Sequence, residues 1–494
     1  MRSIVLAIDQ STQGTKAVLF DSDGNMLAKR TRPHDQLIND KGWVSHDAEQ
    51  IMTNVLATAR DVCKAAGVRQ GEVRAVGISN QRETCLAWDR VTREPLAPAI
   101  VWQCGRATEL CQGLVAAHPG VDGLVKEQSG LSLSPYFSAA KMAWLLQNVP
   151  EVIAAADRGT LCLGTIDSWL VFKLTQEHAF LTEPSNACRT QLLDLRTAEW
   201  SPKLLQVFGV PRGALATVCP SDSVFGHTTM GGLFETPVPI CCVLGDSQAA
   251  LAAQNCVNPG DLKATYGTGS SVMMQVGADP VVSTHGLVSS IAWQFGDKRS
   301  YVLEGNLNYT GAVISWLKDQ MGLIDDPSEV EGIISQANLH DRAYFVPAFT
   351  GLGAPWWASD ATGMLTGVTR TTGRAEMVKA CAECIPYQIA DVVGALQGDT
   401  GLVVRELRAD GGVTANDYLM QLQADLADVT VVTSSLKELS AAGVGFVAGR
   451  TAGIYKGNAI YGKVGHGRNV PAMSADERSE RLNGWHDALR RVMA

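Results

Sequence analysis

Two stretches in opposite halves of this chain follow one plan. The first runs Ile4-Val5-Leu6-Ala7-Ile8-Asp9-Gln10-Ser11-Thr12-Gln13-Gly14-Thr15-Lys16 and continues into Ala17-Val18-Leu19-Phe20. The second runs Asp261-Leu262-Lys263-Ala264-Thr265-Tyr266-Gly267-Thr268-Gly269-Ser270-Ser271 and continues into Val272-Met273-Met274-Gln275-Val276. A short apolar run bounded by turn formers reads as a buried strand, so each stretch predicts a strand, a tight turn and a second strand. The first turn offers backbone N–H groups, the hydroxyls of Thr12 and Thr15, and the cation Lys16, a set that suits phosphate oxygens. Asp9, at the end of its strand, is placed to hold a Mg²⁺ that accompanies phosphates. Either stretch alone reads equally well as an ordinary hairpin with a polar tip. The repetition predicts a duplicated architecture, in which two hairpins clamp one polyphosphate between two domains.

The rest of the chain narrows the class. Its 494 residues are enough for several domains. The net charge is −9 with no basic block, which argues against nucleic acid as a partner, because such binding is mostly neutralisation of phosphates by Lys and Arg. No apolar run approaches the roughly 18 residues of a membrane span, and the first residues lack the pattern of a secretory leader, so a cytoplasmic location without membrane contact is expected. The 12 cysteines stand among apolar neighbours and read as small buried hydrophobes. The one CxxC, Cys381 to Cys384, lies in a helical pattern without a second pair and is not expected to bind metal.

In chain order, a third antiparallel strand is expected at Met26-Leu27-Ala28. A helix is expected from about Ala48 to Ala66, with Asp47 as its N-cap and His46 in a structural role. The strand Val73–Ile78 ends in Ser79-Asn80-Gln81-Arg82-Glu83-Thr84. An Arg beside a Glu at a strand end supplies donors and acceptors for a polyhydroxylated molecule, although a surface ion pair reads the same. Trp102 follows another strand, and a helix-rich middle third contains Tyr136, Lys141 and Trp144. The strand Val238–Leu244 then runs into Gly245-Asp246-Ser247-Gln248. Asp246 is either a helix N-cap or a carboxylate able to accept a hydroxyl proton. Further on, Tyr309 to Trp316 opens a helix, and residues 346–355 form a Gly/Pro-rich loop. Asp410-Gly411-Gly412 to Asn416 turns a strand into a helix with its backbone open to a ligand. Ala441 to Gly449 is a helix of small residues suited to close packing, and the charged tail from Ser474 is a covering helix.

Together these pieces resemble the FGGY family of carbohydrate kinases, and its glycerol kinase branch most. The resemblance runs from about residue 4 to 455. It rests on Asp9-Gln10-Ser11-Thr12, Gly42-Trp43-Val44, Asn80 to Thr84, Trp102-Gln103, Pro135 to Ser138, Gly245-Asp246, Tyr266 to Gly269, Phe349 to Pro355 and Asp410-Gly411-Gly412 with Asn416. It implies an α/β fold of two actin-like, ribonuclease-H-like ATPase domains, divided at residues 1–252 and 253–494, with the active site in the cleft between them. The implied reaction is Mg²⁺-dependent transfer of the γ-phosphoryl group of ATP to a hydroxyl of a small-molecule polyol or sugar.

By the same resemblance Thr12, Gln13, Gly14 and Lys16 face the phosphates from the first hairpin and Thr268 from the second. Gly311, Ser315, Gly412 and Asn416 line the nucleotide, and Asp9 holds the metal through water. Arg82, Glu83, Trp102, Tyr136, Asp246 and Ser271 surround the acceptor, with Asp246 as general base. A homodimer is an open expectation. The competing reading is an actin-like ATPase or a sugar sensor on the same fold. Neither would need Arg82, Glu83 and Asp246 together at a cleft.

Three departures fall near the acceptor. Glycerol kinases usually carry Cys-Phe where this chain has Ser270-Ser271, Asp-Arg-Arg where it has Cys104-Gly105-Arg106, and Gln where it has Ser247. These changes remove bulk or charge, so a four- to six-carbon polyol or ketose is the expected acceptor, with glycerol the alternative. The loop Met230 to Glu235 lacks the basic residue with which bacterial glycerol kinases bind a sugar-bisphosphate inhibitor, and no such inhibition is expected.

Overall fold

A computed structural model describes residues 2–457, 460–461 and 466–494. The first hairpin is the centre of a six-stranded sheet. Its strands are Ile4–Gln10 (β1), Gly14–Phe20 (β2), Met26–Pro33 (β3), Val73–Asn80 (β4), His227–Thr228 (β5) and Val238–Gly245 (β6), in the order β5-β6-β4-β1-β2-β3. β1 and β2 are antiparallel with Asp9 opposite Lys16, while β4 runs parallel to β1, and β6 parallel to β4. Every residue of β1 is buried, because both faces of the sheet are covered. Leu6 and Ile8 join Ile51 and Val55 of the helix Ala48–Ala65. Val5 and Ala7 join Val444 and Phe446 of the helix Leu439–Thr451, which comes from the far end of the chain. Asp47 caps the first of these helices, accepting from the N–H of Glu49 at 2.8 Å and of Gln50 at 3.2 Å.

The second hairpin repeats this arrangement in a seven-stranded sheet. Its strands are Leu262–Tyr266 (β7), Ser270–Gly277 (β8), Val288–Phe295 (β9), Lys298–Leu307 (β10), Glu406–Gly411 (β11), Thr430–Ser434 (β12) and His466–Asn469 (β13), in the order β9-β10-β8-β7-β11-β12-β13. β7 and β8 are antiparallel, and β11 lies parallel to β7 with Asp410 beside Thr265. The repeat then breaks in one place. In the first sheet the next strand in sequence pairs with the hairpin. In the second, β9 is displaced to the edge and β10 takes the place beside β8.

A smaller five-stranded sheet, which includes Cys85–Asp89 and Ala99–Ile100, extends the first half and carries Trp102 just beyond the end of its central strand, Ala99–Ile100. Seven α-helices between Thr108 and Phe208 make the middle third helical, as expected.

The two halves are joined by helices as well as by the cleft. The helix Leu439–Thr451 packs on the first sheet and on the helix Asp246–Ala253. Its small residues permit this, since a Cβ at Gly443 would run into the carbonyl of Ala249, and one at Gly77 into that of Val444. The C-terminal helix Ala475–Met493 covers the second half with Trp485, Ala488 and Leu489. Both CxxC cysteines are buried in the helix Arg374–Thr400. Among the described residues no helix is long and apolar enough to cross a membrane.

Candidate active site

Strand ends carry the site. Asp9 and Lys16 leave the first sheet at the open end of β1 and β2, Arg82 and Glu83 follow β4, and Asp246 follows β6. Asp9, Lys16 and Asp246 line one cavity of about 280 Å³ with Lys263, Thr265, Asp410 and Glu438 from the second half. Gly412 and Asn416 line a second cavity of about 580 Å³ together with Tyr266, Thr268, Gly311 and Ser315. The cavities adjoin, since Thr265 and Gly411 line one while Tyr266 and Gly412 line the other.

The larger cavity is shaped by backbone. The carbonyl of Gly267 accepts from Gly311 N–H at 3.0 Å, and that of Thr268 from Thr310 and Ala312 N–H at 3.0 Å each. These bonds tie the second hairpin to the first turn of the helix Gly311–Asp319. Gly411 has φ +102°, and a Cβ there would strike the carbonyl of Tyr266, so the turn requires glycine. Asn416 caps the next helix, its Oδ1 accepting from Leu419 N–H at 2.9 Å, which leaves its amide NH₂ for another partner.

The smaller cavity is charged. Asp9 is buried, and its Oδ1 has no hydrogen-bond partner. Burial raises its pKa to about 6 against the attraction of Lys16, and the neighbouring Asp246 adds to the rise. Lys16 Nζ lies 3.7 Å from Asp9 Oδ2 and donates to Glu438 Oε2 at 2.9 Å. Among the described residues no three His, Cys, Asp or Glu side chains gather as a metal site. A single orphaned carboxylate fits Mg²⁺, which keeps several waters and is commonly bound by one or two carboxylates plus substrate phosphates.

Asp246 does not cap its helix. Gly245 is the N-cap residue, and Asp246, the first residue of the helix, accepts through Oδ1 from the N–H of Ser247 at 2.7 Å. The carboxylate is partly exposed to the cleft, with Arg82 Nε 3.4 Å from its Oδ1. Arg82 also donates to both oxygens of Glu304, at 2.9 and 3.1 Å. Arg189 lies between the two glutamates. Its Nε donates to Glu83 Oε1 at 2.5 Å, and its Nη1 lies 3.1 Å from Glu304 Oε2. Ser271 Oγ donates to Glu304 Oε1 at 2.8 Å. The two arginines hold Glu304 well below the usual carboxylate range despite its burial. Trp102 and Tyr136 stand against one another with ring centres 5.4 Å apart, and Lys141 Nζ donates to the carbonyls of both, at 2.9 and 2.6 Å. Trp102 Nε1 also donates to Thr12 Oγ1 at 2.9 Å, linking this wall to the first hairpin.

The structure thus groups the expected residues in three clusters, with differences of detail. Gly14 is buried, with the carbonyl of Arg32 2.6 Å from where its Cβ would stand, so close packing on β3 accounts for its lack of a side chain. Glu83 is turned into the Arg189 pair at φ +59° rather than left open. Gln13 is exposed at the tip of the turn. Sequence reasoning missed Glu304 and Gln248, which hold Arg82, Arg189, which pairs with Glu83 and Glu304, and Lys263 on the cavity wall.

Known proteins share this arrangement. Residues 4–253 match the N-terminal domain of the FGGY family of carbohydrate kinases, and residues 262–452 match its C-terminal domain. The chain belongs to the FGGY family of carbohydrate kinases. It is 41% identical over 495 residues to the glycerol kinase of Shewanella amazonensis, covering 100% of this chain and 99% of that protein. It is 41% identical to glycerol kinase 1 of Thermotoga maritima, covering 99% of each. Its fold superposes on the crystal structure of Plasmodium falciparum glycerol kinase with ADP at a TM-score of 0.94, with 33% identity over 100% of this chain and 99% of that one. Gluconate kinase from Lactobacillus acidophilus shares the fold at a TM-score of 0.90 with 20% identity, over 100% of this chain and 99% of that one. The fold is that of two actin-like ATPase domains, and the chain is an ATP-dependent phosphotransferase acting on a hydroxyl of a polyol or sugar. Family membership decides against the ATPase or sensor reading.

Proposed function

We propose that phosphoryl transfer takes place in the charged cavity, with Asp246 as the general base. The supporting observation is that the Asp246 carboxylate is partly exposed to the cleft beside Arg82 and shares its cavity with Asp9 and Lys16. The nucleoside end of ATP lies along Gly311, Ser315, Gly412 and Asn416, and its phosphates meet Thr12, Gln13, Lys16 and Thr268. Asp9 holds Mg²⁺, which neutralises phosphate charge when bound. Arg82 orients Asp246 and the acceptor, while Glu83, Trp102, Tyr136 and Ser271 surround the rest of the polyol. Asp246 takes the proton of the attacking hydroxyl as the oxygen–phosphorus bond forms. Closure of the two domains, divided near residue 253, excludes water as a competing acceptor. Asp246→Asn should lower kcat by about 10³-fold while nucleotide affinity stays within about twofold. Full activity in that variant would refute the role of base.

The acceptor is assigned as a four- to six-carbon polyol or ketose, with glycerol the alternative carried by the glycerol kinase relatives. Ser271 favours the longer molecule, since its hydroxyl on Glu304 gives the cleft a small polar wall. A panel of glycerol, tetritols, pentitols and ketoses tests this, and equal kcat/KM on glycerol and every longer polyol would sink it. A homodimer, a cytoplasmic location and insensitivity to sugar bisphosphates belong to the same reading. Light scattering, cell fractionation and an inhibition assay test them in turn.

A further inference from the structure

Lys263 is a buried ammonium that the described structure leaves short of partners. It lies in the middle of β7, fully buried, and its Nζ makes one hydrogen bond, to Thr265 Oγ1 at 2.9 Å. Among the described residues no carboxylate oxygen lies within ion-pair distance of it. Its nearest acid is screened by that hydroxyl, for Thr265 Oγ1 donates to Asp410 Oδ2 at 3.0 Å, and the same oxygen accepts from Gln254 Nε2 at 2.6 Å. Lys437 lines the same cavity, from just before the helix Leu439–Thr451, whereas three other lysines near the site are committed. Lys16 and Lys29 both donate to Glu438, at 2.9 and 2.7 Å, and Lys141 is held by two carbonyls.

An ammonium has three donors and a costly charge to bury, and Lys263 satisfies one donor. The side chain lines the cavity that also holds Asp9, Lys16 and Asp246. Asp9 and Asp246 repel one another across that space. An anion entering there would meet Lys263 from the second half just as it met Lys16 from the first.

We propose that Lys263 is a further catalytic residue, whose Nζ hydrogen-bonds an oxygen of the terminal phosphoryl group of ATP during transfer. The assignment rests on the kinase reading above. In the step, the bond between the acceptor oxygen and phosphorus forms as the bond to the bridging oxygen of ADP breaks. The acceptor proton passes to Asp246, and Lys263 stays protonated and balances charge on the peripheral oxygens. The second half then supplies a cation as well as backbone contacts, so the charge is neutralised only when the two halves come together around the nucleotide.

The test compares ATP and ADP, which differ by the group Lys263 is assigned to hold. In Lys263→Met, ATP affinity by calorimetry should weaken about tenfold while ADP affinity stays within about twofold. The kcat should fall about 100-fold at unchanged acceptor KM. Equal effects on ATP and ADP, or kcat within about threefold of the parent, would overturn the assignment and leave Lys263 as a counter-charge to Asp410. A charge-balanced double variant, Lys263→Met with Asp410→Asn, covers the case in which the single variant fails to fold. Recovery of the parent ATP-to-ADP affinity ratio in the double variant would contradict the proposal, and continued loss of it would support it. Failure of the kinase reading looks different: the parent protein would transfer phosphate to no polyol or sugar, whatever its affinity ratio.

Discussion

The two hairpins share a fold and differ in what their side chains carry. In the first, an acid and a cation face each other across the ladder, Asp9 opposite Lys16. Side chains from elsewhere brace its turn: Trp102 donates to the Thr12 hydroxyl at 2.9 Å, and His34 Nε2 lies 3.0 Å from the Thr12 carbonyl. In the second, the tip between β7 and β8 is Gly267-Thr268-Gly269, and its carbonyls are tied to the backbone N–H groups of Thr310, Gly311 and Ala312. On the mechanism proposed above, the difference divides the labour of phosphoryl transfer: the first hairpin would supply charge to the reacting group, and the second would fix the nucleotide by backbone geometry. Lys263, set back in the strand before the second turn, is where that division is incomplete.

Substitutions can break the comparison from either side. Asp9→Asn should have the largest effect, a fall in kcat of about 10³-fold, because it removes the orphaned carboxylate assigned to the metal. Titration with Mg²⁺ should show the lost affinity directly. Gly311→Val acts on the other hairpin, where a side chain would run into the carbonyl of Gly267. It should raise the KM for ATP about 30-fold with kcat and acceptor KM little changed. If Gly311→Val lowered kcat more than it raised the KM, the second hairpin would be taking part in the chemistry and the division would fail.

A smaller effect lies beneath the first turn. His46 packs edge-on against His34, ring centres 4.8 Å apart, and burial holds its pKa down at about 4. Burial lowers that of His34 as well. The native state keeps His46 neutral, whereas the unfolded chain takes up a proton below about 6.5. Its contribution to stability is therefore complete above pH 6.5 and is lost as the pH falls toward 4. Urea unfolding should show about 2 kcal/mol less stability at pH 4.5 than at 6.5 from this group, and His46→Gln should flatten that slope. The smallest change is expected from Trp102→Phe, which keeps the ring against Tyr136 and removes the bond to Thr12. A drop in kcat/KM of about fivefold for both ATP and acceptor is expected, since the bond joins the two subsites. An effect on the acceptor alone would separate the wall from the hairpin.

The sequence made some of this legible and hid the rest for physical reasons. Both hairpins, the Gly411 turn and Asp246 could be found because each combines a local apolar run with a polar group at its end. Whether Asp246 is the cap of its helix could not be read locally, because it depended on which residue the helix uses as its N-cap. Glu304 sits in the middle of β10 and looks like any polar residue in a strand. Its meaning comes from Arg82 and Arg189, far away in the chain. Lys263 was hidden in the same way, by a strand that reads as part of a hairpin. The displacement of β9 to the sheet edge was hidden as well, because pairing partners are chosen in three dimensions. The small-residue helix at Ala441 to Gly449 announced close packing, but its partner, the first sheet, was not written beside it.

The most direct test of the account is a crystal structure with Mg²⁺, a non-hydrolysable ATP analogue and a polyol acceptor. The account predicts adenosine against Gly412 and Asn416, the terminal phosphate between Asp9 and Lys263, and an acceptor hydroxyl within hydrogen-bond reach of Asp246. A terminal phosphate lying outside the cavity shared by Asp9 and Asp246, or an acceptor hydroxyl turned away from Asp246, would contradict it.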